Sequence, residues 1–345
     1  MASKSKKGKK SKSHAKSPSS PTAWYYFLAI LPIPLLFIAS HFLRTTISSP
    51  PSDYGSGSMF DLIATRYDFI NRALALNLDM SWRHRLVREV VGAEGEIFSD
   101  SNKNGEPVRI LDLATGTADV AILLGKAAAR YGAPSIPSST SESSTVLGLD
   151  PSQNMLNVGE TKIQSADLSN IVNLQLGDAR KLDSLGGGTF NAATMSFGIR
   201  NVPEKEMALC EIHRVLKKGP KHAPSALESK LAIMEFSEPG PDTGIMGSMA
   251  RLFIRHLVPA MGAMLSGHPK EYMHLQKSIK DFPSPSEFVA LMEGLKCPIG
   301  GGGEDGEELE IDTIGSFRVK EVVNLNFGSV QIYVATPILK RYVTE

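Results

Sequence analysis

The stretch that most limits what this chain can become is VRILDLATGTADVA, residues 108–121. A short, mostly apolar run carrying Asp112 gives way to Ala114, Thr115, Gly116, Thr117 and Ala118, and then to an apolar helical pattern. Such a run fits a strand of a parallel sheet covered on both faces. The small residues let a ligand come close to the backbone, and the unpaired N–H groups of the helix start point at whatever sits above the strand end. The segment predicts the first strand, turn and helix of an α/β fold with a nucleotide-cofactor site.

The turn also narrows the cofactor. A dinucleotide fingerprint needs G-x-G-x-x-G, and the corresponding positions here are Ala114, Gly116 and Asp119. Asp119 would set a carboxylate beside a pyrophosphate, whereas a cofactor carrying a sulfonium and an ammonium group attracts acids. The charges favour S-adenosylmethionine over a nicotinamide dinucleotide. A turn that binds nothing is the structural alternative.

Beyond the turn, helical and strand patterns alternate: a helix to about residue 131, a polar loop at 132–145, then VLGLD at 146–150. Further strands are predicted at 171–176, 191–195 and 231–236, with helices at 152–164 and 204–216, the latter closed by Lys217, Lys218 and Gly219. This succession predicts a doubly wound, Rossmann-like, mostly parallel sheet. Runs at 317–326 and 329–336, turning through Phe327 and Gly328, predict its antiparallel end. Helical spacing over 59–91 predicts two helices ahead of the sheet. There Tyr67, Asp68, Asn71, Trp82, Arg83 and His84 are candidates to cover the cofactor; a solvated face is the alternative, and the better one for His84.

The strand ends carry a series of polar groups, and in an open parallel sheet those ends face one crevice. Asp112 belongs to the first. Asp150, at the second, is placed to accept both ribose hydroxyls, with a helix cap as the alternative. Asp178, at the third, suits the adenine amine while the Ala179 N–H donates to a ring nitrogen. The fourth runs into Ser196 and on through Arg200 and Asn201.

Charge and hydropathy divide the rest. Lys4, Lys6, Lys7, Lys9, Lys10, Lys12 and Lys16 occupy an N-terminus without acids, although the whole chain carries a net charge of only +1. The remainder is therefore mildly acidic and gives no sign of nucleic-acid binding. Cys210 and Cys297 make no disulfide framework and no metal-ligand spacing, which predicts a reducing compartment and no metal. Residues 23–43, AWYYFLAILPIPLLFIASHFL, are as long as a bilayer-crossing helix and open on aromatics. A membrane anchor, a cleaved targeting segment and an apolar helix packed on the domain all stay open. The expected organisation is a basic tail at 1–22, this segment at 23–43, a Ser/Pro/Gly-rich linker at 44–58 and one domain at 59–345.

With these residues laid out, the chain resembles a class I S-adenosylmethionine-dependent methyltransferase, specifically the ubiquinone/menaquinone biosynthesis C-methyltransferase family. The resemblance rests on LDLATGTAD, GLDPSQNML at 148–156, GDA at 177–179, MSFGIRNVPEKEMALCEIHRVLKKG at 195–219, MEFSEP at 234–239 and SIKDFPSPSEF at 278–288. It implies cofactor contacts at Thr117, Asp150, Asp178 with Ala179, and Ser196, beside Asp112 and Gly116 of the first turn. It implies that SFGIRNV lines a quinol pocket, with Arg200 and Asn201 as catalytic candidates and Tyr67 with Asp68 completing the site. The expected reaction is transfer of the cofactor's methyl group to a ring carbon of a polyprenyl benzoquinol. A naphthoquinol acceptor and a noncatalytic role among other quinone-biosynthesis enzymes stay open, as does a homodimer. The family usually has glycine where this chain has Ala118, and the extra methyl is expected to crowd the cofactor. The Met-rich run at 245–265 is expected to cover the substrate or to form a core helix. Extra polar loops at 132–145 and 300–308 read as surface insertions. Eukaryotic members suggest the mitochondrial inner membrane, matrix side; plastid and endoplasmic-reticulum membranes stay open.

Overall fold

The computed structural model describes residues 58–61, 64–99, 107–132, 144–218, 228–239, 244–258, 261, 277–299 and 313–341. The basic tail, the apolar segment at 23–43, nearly all of the linker and most of both polar insertions lie outside the described residues.

The strands are β1 (Ile110–Leu113), β2 (Val146–Asp150), β3 (Val172–Leu176), β4 (Ala192–Ser196), β5 (Lys230–Phe236), β6 (Thr313–Leu325) and β7 (Val330–Arg341). They form one sheet in the order β3-β2-β1-β4-β5-β7-β6. β1 to β5 pair in parallel, and β7 inserts antiparallel between β5 and β6. The chain reverses at β1, first toward β2 and β3 and later toward β4 and β5, so a crevice opens at the carboxyl ends of β1 and β4.

Both faces of the sheet are buried. In β1, Ile110 joins the core beneath α3 (Leu78–Val91) and α4 (Asp119–Arg130), whereas Leu111 and Leu113 join the core beneath α6 (Lys205–Val215). All four β1 residues are buried, which is why the sequence reads as a continuous apolar run and not as an alternation. Gly125 lets α4 lie close to the sheet, since a Cβ there would meet Val172 at 2.5 Å. The predicted pair of leading helices is a set of three: α1 (Ser58–Asp61), α2 (Ala64–Leu74) and α3, with Leu76 and Asn77 in left-handed backbone at the α2–α3 turn. α5 (Gln153–Ser165) is capped by Ser152, whose hydroxyl accepts from the Met155 N–H. α7 (Gly244–Leu252) runs into a π-type turn at Phe253–Leu257, and the rest of the expected 245–265 helix lies largely outside the described residues. α8 (Pro285–Gly294) starts at a capping box made by Ser284 and Glu287.

Two expectations are corrected here. Cys210 on α6 and Cys297 just beyond α8 are joined in a disulfide, bridging 87 residues. Pairs that distant in sequence cannot be recognised from spacing, and the bond removes the basis for expecting a reducing compartment. At the end of α6, the Lys218 ammonium does reach the last turn, donating to the carbonyls of His213 and Arg214 at 2.7 and 2.9 Å.

Candidate active site

The first turn is built from left-handed backbone. Ala114, Gly116 and Ala118 have φ of 49°, 56° and 66°, two of them without the freedom of glycine. Such strain persists only where surrounding packing fixes it, as at ligand-binding turns. Ala114 meets the β4 turn so closely that a Cβ on Gly198 would sit 2.5 Å from its methyl. A Cβ on Gly116, by contrast, would meet nothing within 4 Å, so this turn leaves open space above it. Ala118 is fully buried, and its methyl packs toward α5, 3.1 Å from where a Gly159 Cβ would stand. Gly159 on the neighbouring helix thus gives this methyl its room within the protein.

Two buried carboxyls lie under that turn. Asp112 accepts from the Thr115 and Thr194 hydroxyls, each at 2.6 Å, and burial pushes it up to about 6 against those two bonds. Asp150 accepts from the Gly116 and Ser152 N–H groups, both at 2.9 Å, and burial likewise raises it to about 6. Asp150 therefore ties the β1 turn to the start of α5, while Ser152 performs the capping. Asp178 is gripped by the guanidinium of Arg180, which outweighs burial and holds the carboxyl below its usual range. Ala179 follows it, half-buried against the α6 side of the core. The Ser196 hydroxyl is buried and has no hydrogen-bond partner among the described residues.

Asp68 and Asp119 do not stand in the crevice as free acids. Asp68 accepts from the Thr117 hydroxyl at 2.6 Å and from Lys162 at 2.8 Å. Asp119 accepts from Lys162 at 2.5 Å and Arg72 at 2.7 Å, with Arg83 at 3.7 Å. Burial opposes charge on Asp119, but Lys162 and Arg83 outweigh it and keep the carboxyl below its usual range. This network fastens α2 and α3 over the start of α4 and the last turn of α5. It commits the Thr117 side chain as well. The attraction of Asp119 for a cationic cofactor is thus largely spent on arginine and lysine.

Beside the crevice lies a cavity of about 430 Å³, bounded by α2, α3, α7 and the ends of β4 and β5. Its walls are mainly Trp82, Phe197, Phe236, Phe253 and methionines of α7, and its polar groups include Tyr67, Asn71, Asp79, Arg83, Arg200 and Asn201. Phe197, at φ 58°, stacks on Phe236 at 4.3 Å between centroids. Burial raises the Tyr67 phenol well above its ordinary value despite the nearby Arg200 and Arg83 guanidiniums, so it stays protonated. Tyr67 lines the cavity and also packs against the cluster of Ala64 and Met155, which joins α2 to the first turn of α5 beyond Asp150. Tyr67, Arg200 and Asn201 thus meet on one cavity, whereas Asp68 does not line it and His84 is exposed.

Sequence reading missed Glu235, the last carboxylate of β5. It is completely buried and accepts from the Arg200 guanidinium at 2.5 Å and from the Phe236 N–H at 2.8 Å. Arg200 also donates to the Phe197 carbonyl at 2.7 Å and lies over the Phe236 ring at 5.5 Å. The only signal was an acid next to the end of a mostly apolar strand. Asp79, also missed, receives Arg83 at 2.6 Å together with Arg72 and borders the cavity.

Comparison with known proteins agrees with this geometry. The model of the ubiE/COQ5 methyltransferase family matches residues 52–297. The "Ubiquinone/menaquinone biosynthesis C-methyltransferase UbiE" of Geotalea uraniireducens is 31% identical over 69% of this chain and 85% of its own length. The "Demethylmenaquinone methyltransferase" of Thermus thermophilus is 33% identical over 68% of this chain and 89% of its own.

Proposed function

This chain belongs to the ubiE/COQ5 methyltransferase family and is an S-adenosylmethionine-dependent C-methyltransferase of quinone biosynthesis; from that premise we propose that its acceptor is a polyprenyl benzoquinol. The observation that carries the reading is the joining, at Tyr67, of a carboxylate-lined crevice to an aromatic cavity that holds the buried Arg200–Glu235 ion pair.

The residues present fit the cofactor. Open space at Gly116, the buried Asp150 carboxyl and the unpartnered Ser196 hydroxyl supply a cradle, a ribose acceptor and a spare donor. Asp112, Thr117, Asp178 and Ala179 complete the set that would hold it, Asp112 and Thr117 by shaping the turn. When bound, the cofactor supplies an electrophilic sulfonium methyl group.

The chain's own part is to orient the ring, exclude water and manage one proton. Aromatic walls hold the acceptor ring, and the Tyr67 phenol, kept protonated, donates to one ring oxygen while Asn201 fixes it. Arg200 favours the phenolate, which makes the ring carbon nucleophilic. An arginine does not act as the base at its ordinary pKa, so the hydroxyl proton passes to water, and once the new carbon–carbon bond has formed the same ring carbon gives up its own hydrogen as a proton, which restores the aromatic ring and its hydroxyl. Glu235 holds the guanidinium in place and balances its charge.

The apolar segment at 23–43 then keeps the enzyme on a membrane, the mitochondrial inner membrane on its matrix side, where a polyprenyl acceptor resides. Support comes from its hydropathy and aromatic opening. Organelle fractionation with protease protection tests this: the domain should be shielded until the inner membrane is opened. For the acceptor, turnover on short-chain 2-methoxy-6-prenyl-benzoquinol should exceed turnover on a demethylnaphthoquinol of equal tail length. The reverse order would move the chain to the acceptor named for the Thermus thermophilus relative.

A further inference from the structure

The mouth of the cavity is ringed by apolar side chains that nothing in the described structure covers. Ile245, Met249 and Leu252 of α7 are 81%, 60% and 48% exposed; Leu76 at the α2–α3 turn is 71% and Phe327 at the β6–β7 turn 57% exposed. Three separate elements thus present large apolar groups around one opening, of which Leu76, Met249 and Phe327 also line the cavity itself. Contiguous exposure of this kind marks an interaction surface.

Charge says what kind. On α7 and the turn after it, Ser248, Arg251 and Arg255 recur at spacings of three and four residues, and Arg251 donates to Ser248 at 3.2 Å, so they share one stripe beside Ile245 and Leu252. Arg251, Arg255 and Lys280 all lower the Glu238 carboxyl; Arg255 bonds it directly at 2.6 Å. The local sum over those four groups is positive. A helix with exposed Met, Leu and Ile on one side and arginines on the flank has the chemistry of an element lying in a lipid headgroup layer.

We propose that this apolar rim and its basic flank are the face by which the domain lies on an anionic lipid bilayer, so that a prenyl tail passes from the bilayer into the cavity without crossing water. The inference rests on the quinol reading for its purpose, but on exposure and charge for its geometry. Ile245 and Leu252 lie outside the cavity lining and can be altered without touching the site.

The test uses the full chain and amide hydrogen exchange with and without vesicles of equal parts phosphatidylcholine and phosphatidylglycerol. Vesicles should slow exchange in residues 244–257 and 325–329, less so when made of phosphatidylcholine alone. The double variant Ile245→Glu/Leu252→Glu should abolish that slowing and lower turnover of a long-chain quinol embedded in the vesicles by about tenfold or more, since two large apolar groups leave the interface. Its turnover of a short-chain quinol in solution should match the parent's. Vesicle-dependent protection confined to other residues would overturn the proposal. So would protection already complete without vesicles, which would mean that another part of the chain, such as residues 23–43, sits on the rim. Protection that grows with protein concentration instead would assign the face to a second copy. If neither protein methylates the short-chain quinol, the quinol reading fails, while the exchange pattern still decides the membrane face.

Discussion

The two halves of the site are made in opposite ways. On the β1 to β3 side, polar groups emerge from consecutive strand ends, and each is held by backbone or side chains within a few residues of a strand or helix end. Asp150 accepts from Ser152 and Gly116, and Asp178 is held by Arg180. On the β4 to β5 side, the cavity is assembled from α2, α3, α7 and two strand ends, and its central cation, Arg200, is paired with Glu235 of the neighbouring strand. The crevice is framed by turns that directly follow strands, whereas the cavity walls are brought together from helices and strand ends.

The largest expected effect lies in the acceptor half. Arg200→Ala strands a buried carboxylate on Glu235 and should cost about 3–5 kcal/mol of stability as well as turnover. Arg200→Met with Glu235→Met should recover most of that stability in chemical denaturation yet remain inactive. If Arg200→Ala unfolds at the same denaturant concentration as the parent, the ion pair is not the support described here.

In the cofactor half the effect should be on binding alone. Asp150→Asn should weaken S-adenosylmethionine in calorimetric titration by about ten- to a hundredfold, the worth of charge-assisted hydrogen bonds, without loss of stability. Stability should hold because burial already disfavours that charge. Loss of the fold in this variant would make Asp150 a structural link between the β1 turn and α5 and nothing more.

The same group predicts a pH dependence. Asp150 sits near 6 when folded, above its ordinary 3.8. Cofactor affinity should therefore rise about tenfold per pH unit up to about 6, where the carboxylate becomes ionised, and level off above it. Folding responds with the opposite sign: a raised folded value contributes stability at acid pH that is lost as pH rises through 6. Asp112 adds to it in the same direction. Affinity that stays flat between pH 5 and 7 would remove Asp150 from the contact set.

The smallest effect should come from Asp68. Its partners are Thr117 and Lys162, part-exposed, so Asp68→Asn should raise the cofactor Kd and lower turnover by no more than about tenfold. A complete loss of turnover at saturating cofactor would restore Asp68 to the catalytic group.

This division also explains what was legible in the sequence. The strand positions, the β1 turn and the acids at 112, 150 and 178 followed from apolar runs and their punctuation, which are local. The spacing of Tyr67, Arg200 and Asn201 came from motif resemblance, and the structure brings those three to one cavity. Glu235, the Lys162 links to Asp68 and Asp119, and the Cys210–Cys297 bond were not legible, because each joins segments whose proximity exists only after folding.

The most direct test of the account is a methyl-transfer assay with label in the methyl group of S-adenosylmethionine, the full chain, and a short-chain 2-methoxy-6-prenyl-benzoquinol. Label on a ring carbon, abolished by the stable Arg200→Met/Glu235→Met pair while cofactor binding persists, is the predicted result. Equal labelling by that pair, or cofactor binding with no label on this benzoquinol's ring, would contradict the acceptor half as described.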